Sequence, residues 1–210
     1  MNRNSAPNLI FDMGGVIIDI NLQLAIKALA RLANYNEEEL KNRFWSSDFF
    51  LAHETGHCSD ADFRSNICTL LQLTIDDVEI DRAWNALLLE IPAKRIELLK
   101  ELRKTHKLYL LSNTNAIHVK AINQLLLEQY ELNGMEDLFD KVYYSHQIGK
   151  RKPGQEIYTY VLADAGLNAQ DCIFFDDLPA NLQAAAETGI QTVQIIPGQF
   201  TINDYFQGTI

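Results

Sequence analysis

The apolar positions of this chain repeat with two periods, and the places where the period changes outline its architecture. Leu9-Ile10-Phe11 is a short apolar run that climbs to Asp12. Gly14-Gly15 then lead into a second run, Val16-Ile17-Ile18, closed by Asp19. The first run reads as a buried strand with Asp12 at its carboxyl end. From there the period is helical. Leu24, Ala25, Ala28, Leu29 and Leu32 predict a helix over 22–33. Asn36 with Glu39, and Ser59 with Asp62, have capping-box spacing ahead of helices through Phe44-Trp45 and over 63–71. Val78, Ile80, Trp84, Leu87 and Leu88 predict a fourth helical stretch over 76–89. No strand pattern is visible between 20 and 91.

Pro92 suits the first turn of a helix running to Thr105. Strands are then expected at 107–111, ending at Ser112-Asn113, at 141–145, at 171–175, ending at Asp176-Asp177, and at 191–196. Helices over 115–129, 154–165 and 180–188 separate them, the last two stopped by Gly166 and Gly189. Such alternation predicts an α/β fold with a doubly wound parallel sheet. Residues 1–19 and 92–210 would form this core, and 20–91 an inserted all-helical domain.

Composition narrows the picture only a little. The chain has 210 residues, 47% of them hydrophobic and 22% charged, which is ordinary for a globular protein. A formal net charge of −10 without a basic block argues against sequence-independent nucleic-acid binding. Cys58, Cys68 and Cys172 have no C-x-x-C spacing, so no disulfide framework or cysteine-rich zinc site is indicated. The opening residues, Met1 to Pro7, show no signal-peptide apolar region, and no 18-residue apolar run occurs. A reducing, cytoplasmic setting away from membranes is expected, for a monomer or homodimer.

The candidate chemistry lies at the strand ends. In a parallel sheet all carboxyl ends share one edge. That edge would collect Asp12, Ser112, Asn113, Asp176 and Asp177, with Lys152 in the loop after the strand at 141–145. Each alone reads more readily as a structural cap or turn residue; together they read as a site. Three carboxylates in one crevice repel unless a cation neutralises them. Oxygen donors without His or Cys favour a hard ion, and Mg2+ is the usual one. An acid nucleophile, a divalent cation, a lysine and a hydroxyl are what phosphoryl transfer requires.

The ordered motifs F-D-M-G-G-V (from Phe11), L-S-N-T-N (from Leu111), K-P (Lys152-Pro153) and F-F-D-D-x-x-x-N (from Phe174) resemble those of the haloacid dehalogenase (HAD) superfamily. The helical insert is similar to the C1 cap of that superfamily. Within it the chain resembles bacterial sugar-phosphate phosphatases of the α-D-glucose-1-phosphate phosphatase type, and more distantly the phosphatase domain of soluble epoxide hydrolases. The resemblance implies a Rossmannoid core and a Mg2+-dependent phosphatase that acts on a small phosphorylated metabolite. It implies Asp12 as nucleophile and metal ligand, the Gly14 carbonyl and Asp177 as further ligands, and Asp176 holding a metal-bound water or acting as another ligand. Ser112 and Asn113 would hold the phosphoryl group, and Lys152 would balance its charge. One departure stands out. Most such phosphatases carry a general acid/base Asp two residues after the nucleophile, where this chain has Gly14. Asp19, a residue of the helical insert or the substrate itself could replace it.

His53-Glu54-Thr55-Gly56-His57 fits the zinc-protease pattern H-E-x-x-H. That motif needs a continuous helix, and Gly56 disfavours one. The stretch reads as a loop between helices, either ordinary and exposed or facing the site, with His53 and Glu54 contacting substrate hydroxyls. Lys150 and Arg151 would guide anions inward or simply be solvated. Two other functions compete: a metal-free 2-haloacid dehalogenase, which the Asp176-Asp177 pair disfavours, and a non-catalytic phosphate-ligand binding protein, which Gly14 keeps open.

Overall fold

The computed structural model describes residues 7–207, so residues 1–6, which belong to the opening read above for targeting signals, lie outside it. Strands β1 (Asn8–Phe11), β2 (Leu108–Ser112), β3 (Lys141–Tyr144), β4 (Cys172–Asp176) and β5 (Gln191–Gln194) form one sheet in the order β3-β2-β1-β4-β5. Every pairing is parallel. Strand β1 is central, with β2 on one side and β4 on the other, so the chain winds outward in both directions from it. That is the switch point at which open α/β sheets form their crevice.

The period of two divides the strands between two faces. Leu9, Phe11, Leu108, Leu110 and Phe175 enter one core, with Ile96, Leu99, Ile122 and Leu126 from helices α6 (Ala93–Leu102) and α7 (Ala116–Tyr130). Ile10, Tyr109, Leu111 and Phe174 enter the other, with Ile157 and Val161 of α9 (Gln155–Ala165) and Leu182 and Ala185 of α10 (Pro179–Ala186). Two short helices, α8 (Ser145–Ile148) and α11 (Ile202–Tyr205), complete this part. Asn115 caps α7 by accepting the His118 amide.

Helices α1 (Leu22–Ala33), α2 (Glu37–Trp45), α3 (Asp48–Glu54), α4 (Asp60–Leu71) and α5 (Asp77–Asn85) have a third hydrophobic cluster, centred on Phe44, Phe63 and Trp84 and joined by Ile117 of α7. Asn36 and Ser59 cap α2 and α4 by accepting the amides of Glu39 and Asp62, as their spacing predicts. The face of α1 is turned from its expected position: Ala25, Ile26, Leu29 and Ala30 are buried, while Leu24 and Leu32 are exposed. Val78 is likewise exposed, and α5 buries Ile80, Ala83 and Trp84. Helix α3 falls partly on the stretch read as a loop. It ends at Glu54, before Gly56 could weaken it.

The chain leaves the sheet and returns to it along one path. Asp19 and Leu89 exchange backbone bonds with their partners across it: Asp19 N–H donates to Glu90, and Leu89 N–H donates to Asp19. Buried Arg95 clamps the outgoing segment by donating to the Ile17 carbonyl and the Asp19 carboxylate. Cys58, Cys68 and Cys172 are free thiols. Among the described residues no helix is long and apolar enough to cross a membrane.

Phe44 touches Trp45, Phe49, Phe50, Phe63 and Trp84 ring to ring. Phe44→Ala should therefore cost about 3–5 kcal/mol in denaturant unfolding. A cost near zero would remove this ring from the centre of the helical core.

Candidate active site

The register delivers the acids to one point. Phe11 lies level with Leu110 of β2 and Phe175 of β4, so Asp12, Ser112 and Asp176 come out at the same sheet edge. The Asp12 amide still donates to the Phe175 carbonyl, and its carboxylate turns back to accept the Met13 N–H at 2.7 Å.

Lys152 sits between two of these acids. Its Nζ is 2.8 Å from Asp12 Oδ1 and 2.7 Å from Asp176 Oδ2, and the residue is buried. Its backbone is pinned by Asn113, whose side-chain amide donates to the Lys152 carbonyl and accepts the Lys152 N–H, each at 2.8 Å. Asp176 is saturated: it also accepts the Leu178 amide at 2.8 Å and the Asn181 side-chain amide at 3.0 Å on both oxygens. Tyr158 in turn donates to the Asn181 carbonyl. Burying such charges is tolerated only when each is paired and bonded.

Burial raises the Asp12 carboxyl to about 7 against the pull of Lys152, and the neighbouring Asp176 pushes the same way. Burial also works against the Lys152 ammonium, yet Asp12 and Asp176 overcome it and hold that group above its ordinary value. Asp177, half-buried, is raised by desolvation and by Asp176. Gly15 makes room for it: at φ +74° a Cβ there would lie 2.6 Å from Asp177 Oδ2. Oxygens of Asp12, Asp176 and Asp177 lie within 4.8 Å of one another. Three carboxylates against one ammonium leave an excess negative charge, and an all-oxygen donor set suits a hard divalent ion.

These groups open into a cleft of about 310 Å³ lined by Asp12, Gly14, Asn113, Lys152 and Asp177 from the sheet, and by Leu22, Trp45, Phe50 and Glu54 from the helices. A smaller recess of about 90 Å³ continues it towards Ser112, His118 and Trp84. Glu54 thus reaches the cleft, paired with Arg151 at 2.9 Å. His53 does not: its ring is buried, stacked on Phe63 at 3.9 Å and bonded to Asp60, so the helix turn that aims Glu54 inward aims His53 into the helical core. His57 bonds Thr55, and the two histidines form no metal-binding group among the described residues. Asp19, considered as a substitute acid, is held by Arg95 at 2.7 Å outside the cleft lining. Of the basic pair, Arg151 is engaged by Glu54 and Lys150 lies over the Tyr160 ring.

Sequence reasoning missed His118, Trp84 and the positioning role of Asn181. His118 accepts or donates with Asn85 at 2.7 Å and stacks on Trp84. Only for Asn181 was a signal at hand, its spacing of five residues from Asp176; the other two join the site by packing of α5 against α7.

A strand-tip acid held by a buried lysine beside an open cleft lies where parallel α/β sheets build their ligand sites. A profile of the haloacid dehalogenase-like hydrolases matches residues 8–189, and the chain belongs to that family. It is 29% identical to D-ribitol-5-phosphate phosphatase of Bacteroides thetaiotaomicron, over 89% of this chain and 90% of that one. It is 27% identical to a sesquiterpene phosphatase of Aspergillus oryzae, over 86% and 85%. A crystal structure of a HAD-family enzyme from Bacteroides thetaiotaomicron, in complex with magnesium and inorganic phosphate, superposes with a TM-score of 0.86 at 33% identity, covering 93% of this chain and 96% of that one.

Lys152→Met would leave Asp12 and Asp176 facing each other without their cation, and should cost about 3–5 kcal/mol in thermal or denaturant unfolding. A fully stable variant would show that the cluster does not depend on the ammonium. Burial pushes the His118 ring down to about 3, with His53 adding to the effect, so the folded protein keeps it neutral. The unfolded chain binds that proton near the ordinary 6.5, so this contribution is present above 6.5 and lost as pH falls towards 3. Between pH 7 and pH 5, His118→Gln should lose about 2 kcal/mol less stability than the parent. Equal losses would mean the ring titrates normally in the folded state.

Proposed function

We propose that this chain is a magnesium-dependent phosphomonoester hydrolase that acts on a small phosphorylated metabolite, a sugar or sugar-alcohol phosphate such as ribitol 5-phosphate or glucose 1-phosphate. The observation that carries the reading is the strand-tip cluster in which Lys152 bridges Asp12 and Asp176 beside Asp177. The magnesium in the structural relative and the phosphatase names of the two relatives support it.

Lys152 and the Met13 amide orient the Asp12 carboxylate. That carboxylate attacks phosphorus, the ester oxygen departs, and an aspartyl-phosphate forms on Asp12; water then attacks phosphorus and frees inorganic phosphate. The Ser112 hydroxyl and the Asn113 main-chain N–H hold the transferring group, since the Asn113 side chain is committed to Lys152. Asp12, the Gly14 carbonyl and Asp177 would hold magnesium, while Asp176 braces Lys152 from behind. When bound, the ion supplies positive charge that keeps Asp12 ionised and offsets the phosphoryl oxygens. Residues 20–91 act as a cap on the core formed by 1–19 and 92–210, shielding the cleft from water and limiting substrate size. The Trp84 indole N–H, buried without a partner, and the Glu54 carboxylate are polar groups that substrate hydroxyls can meet.

Turnover of phosphorylated metabolites should require magnesium, vanish with EDTA and fall roughly 10⁴–10⁶-fold in Asp12→Asn. Activity that survives EDTA and releases halide from a 2-haloacid would assign the dehalogenase reaction instead. Equal turnover in parent and Asp12→Asn would leave a binding protein.

A further inference from the structure

At the place where an acid would follow the nucleophile, Gly14 offers no side chain. A Cβ built on Gly14 would meet the Ile20 Cδ1 methyl at 2.9 Å, the far end of a side chain that lines the same cleft. Asp19 is bound to Arg95. The carboxylate that does enter the cleft from outside the Asp12–Asp176–Asp177 cluster is Glu54, at the end of α3.

Its position is set from two sides. Arg151 Nη2 lies 2.9 Å from Glu54 Oε2, and Arg151 directly precedes Lys152, so the loop that holds the nucleophile also holds Glu54. Two residues on, Gly56 has φ +73°, and a Cβ there would lie 2.1 Å from the His146 carbonyl oxygen. Only glycine lets the turn after α3 press against the start of α8, and that contact carries Glu54 over the strand tips.

We propose that Glu54 is the general acid–base of the reaction, delivered from the helical segment in place of the acid that Gly14 lacks; the assignment rests on the phosphatase reading above. In the first step the Asp12 oxygen–phosphorus bond forms, the ester oxygen–phosphorus bond breaks, and the Glu54 proton passes to the departing oxygen. In the second, a water oxygen bonds to phosphorus, the Asp12–phosphorus bond breaks, and the water proton returns to Glu54. Ester and water become alcohol and phosphate, with Glu54 and Asp12 restored. The charged and titratable groups around the cleft are Arg151 and Lys152 before α9, Asp12 after β1, Asp177 after β4 and His118 on α7. Burial raises the Glu54 carboxyl, and Arg151 and Lys152 pull the other way. A phosphate dianion entering beside those cations offsets their pull and favours the protonated acid.

The test compares wild type, Glu54→Gln and Glu54→Asp in magnesium on ribitol 5-phosphate, an alkyl ester, and para-nitrophenyl phosphate, whose phenolate departs without a proton. Glu54→Gln should lower the ratio of alkyl to aryl kcat/KM, which is fixed before the water step that both esters share, by about 10²-fold or more. It should also remove the alkaline limb of the alkyl pH–rate profile, and Glu54→Asp should recover part of the ratio. Circular dichroism melts confirm that each variant is folded, and the ratio is read only within one variant, so partial unfolding cancels. An unchanged ratio, an alkaline limb retained in Glu54→Gln, or Glu54→Asp no better than Glu54→Gln would overturn the assignment. Wild type inactive on both esters would instead bring down the phosphatase reading itself.

Discussion

The buried contact of Lys152 with Asp12 and Asp176 is the constraint to which the rest of the molecule is fitted. An ammonium group withdrawn from water costs several kcal/mol unless its charge is matched, and here two carboxylates match it. They in turn need donors, which Met13, Leu178 and Asn181 provide. An apolar trio of equal volume would often be as stable or more so. Stability alone therefore does not explain the cluster. Its location does: it stands where β1 and β4 end, at the mouth of a cleft, with more negative charge than the lysine can cancel.

The sheet and the helices contribute different things to that cleft. The sheet supplies rigid, charged groups whose spacing follows from strand register. The helices supply an apolar rim, Leu22, Trp45 and Phe50, and, among the described residues, one carboxylate, Glu54. Their connection is narrow, with the outgoing and returning backbones bonded to each other and pinned by Arg95. The helical side has its own hydrophobic core, joined to the sheet side through Ile117 of α7. Folds of this kind host many reactions, and it is the site that distinguishes them.

Gly14 and Gly15 show how close packing shapes chemistry. Gly15 is needed because Asp177 approaches its backbone, which keeps that acid next to Asp12. At Gly14 the Ile20 methyl lies in the space beside the backbone. One glycine thus lets the acid cluster stay together, while the other leaves the neighbouring position without an acid. Proton transfer is thereby moved to the opposite wall of the cleft, where desolvation and Arg151 compete for control of Glu54.

Most of the architecture was legible in the amino-acid pattern because it depends on short-range periodicity. Alternation in Leu9-Ile10-Phe11 and Leu108 to Leu111 separates the two sheet faces, and parallel strands then bring Asp12, Ser112 and Asp176 to one edge. Lys152 could be placed near that edge by the same logic. What the pattern could not decide were contacts between segments far apart in the chain. Whether α3 turned His53 or Glu54 into the cleft depended on Phe63 and Asp60 claiming the histidine and Arg151 claiming the glutamate. The commitment of the Asn113 side chain to Lys152, the arrival of His118 beside Trp84, and the approach of Ile20 to Gly14 are of the same kind. Local propensity sets where a side chain stands along its element; which way it faces was settled only when the helices closed over the sheet and each polar group had to find a partner.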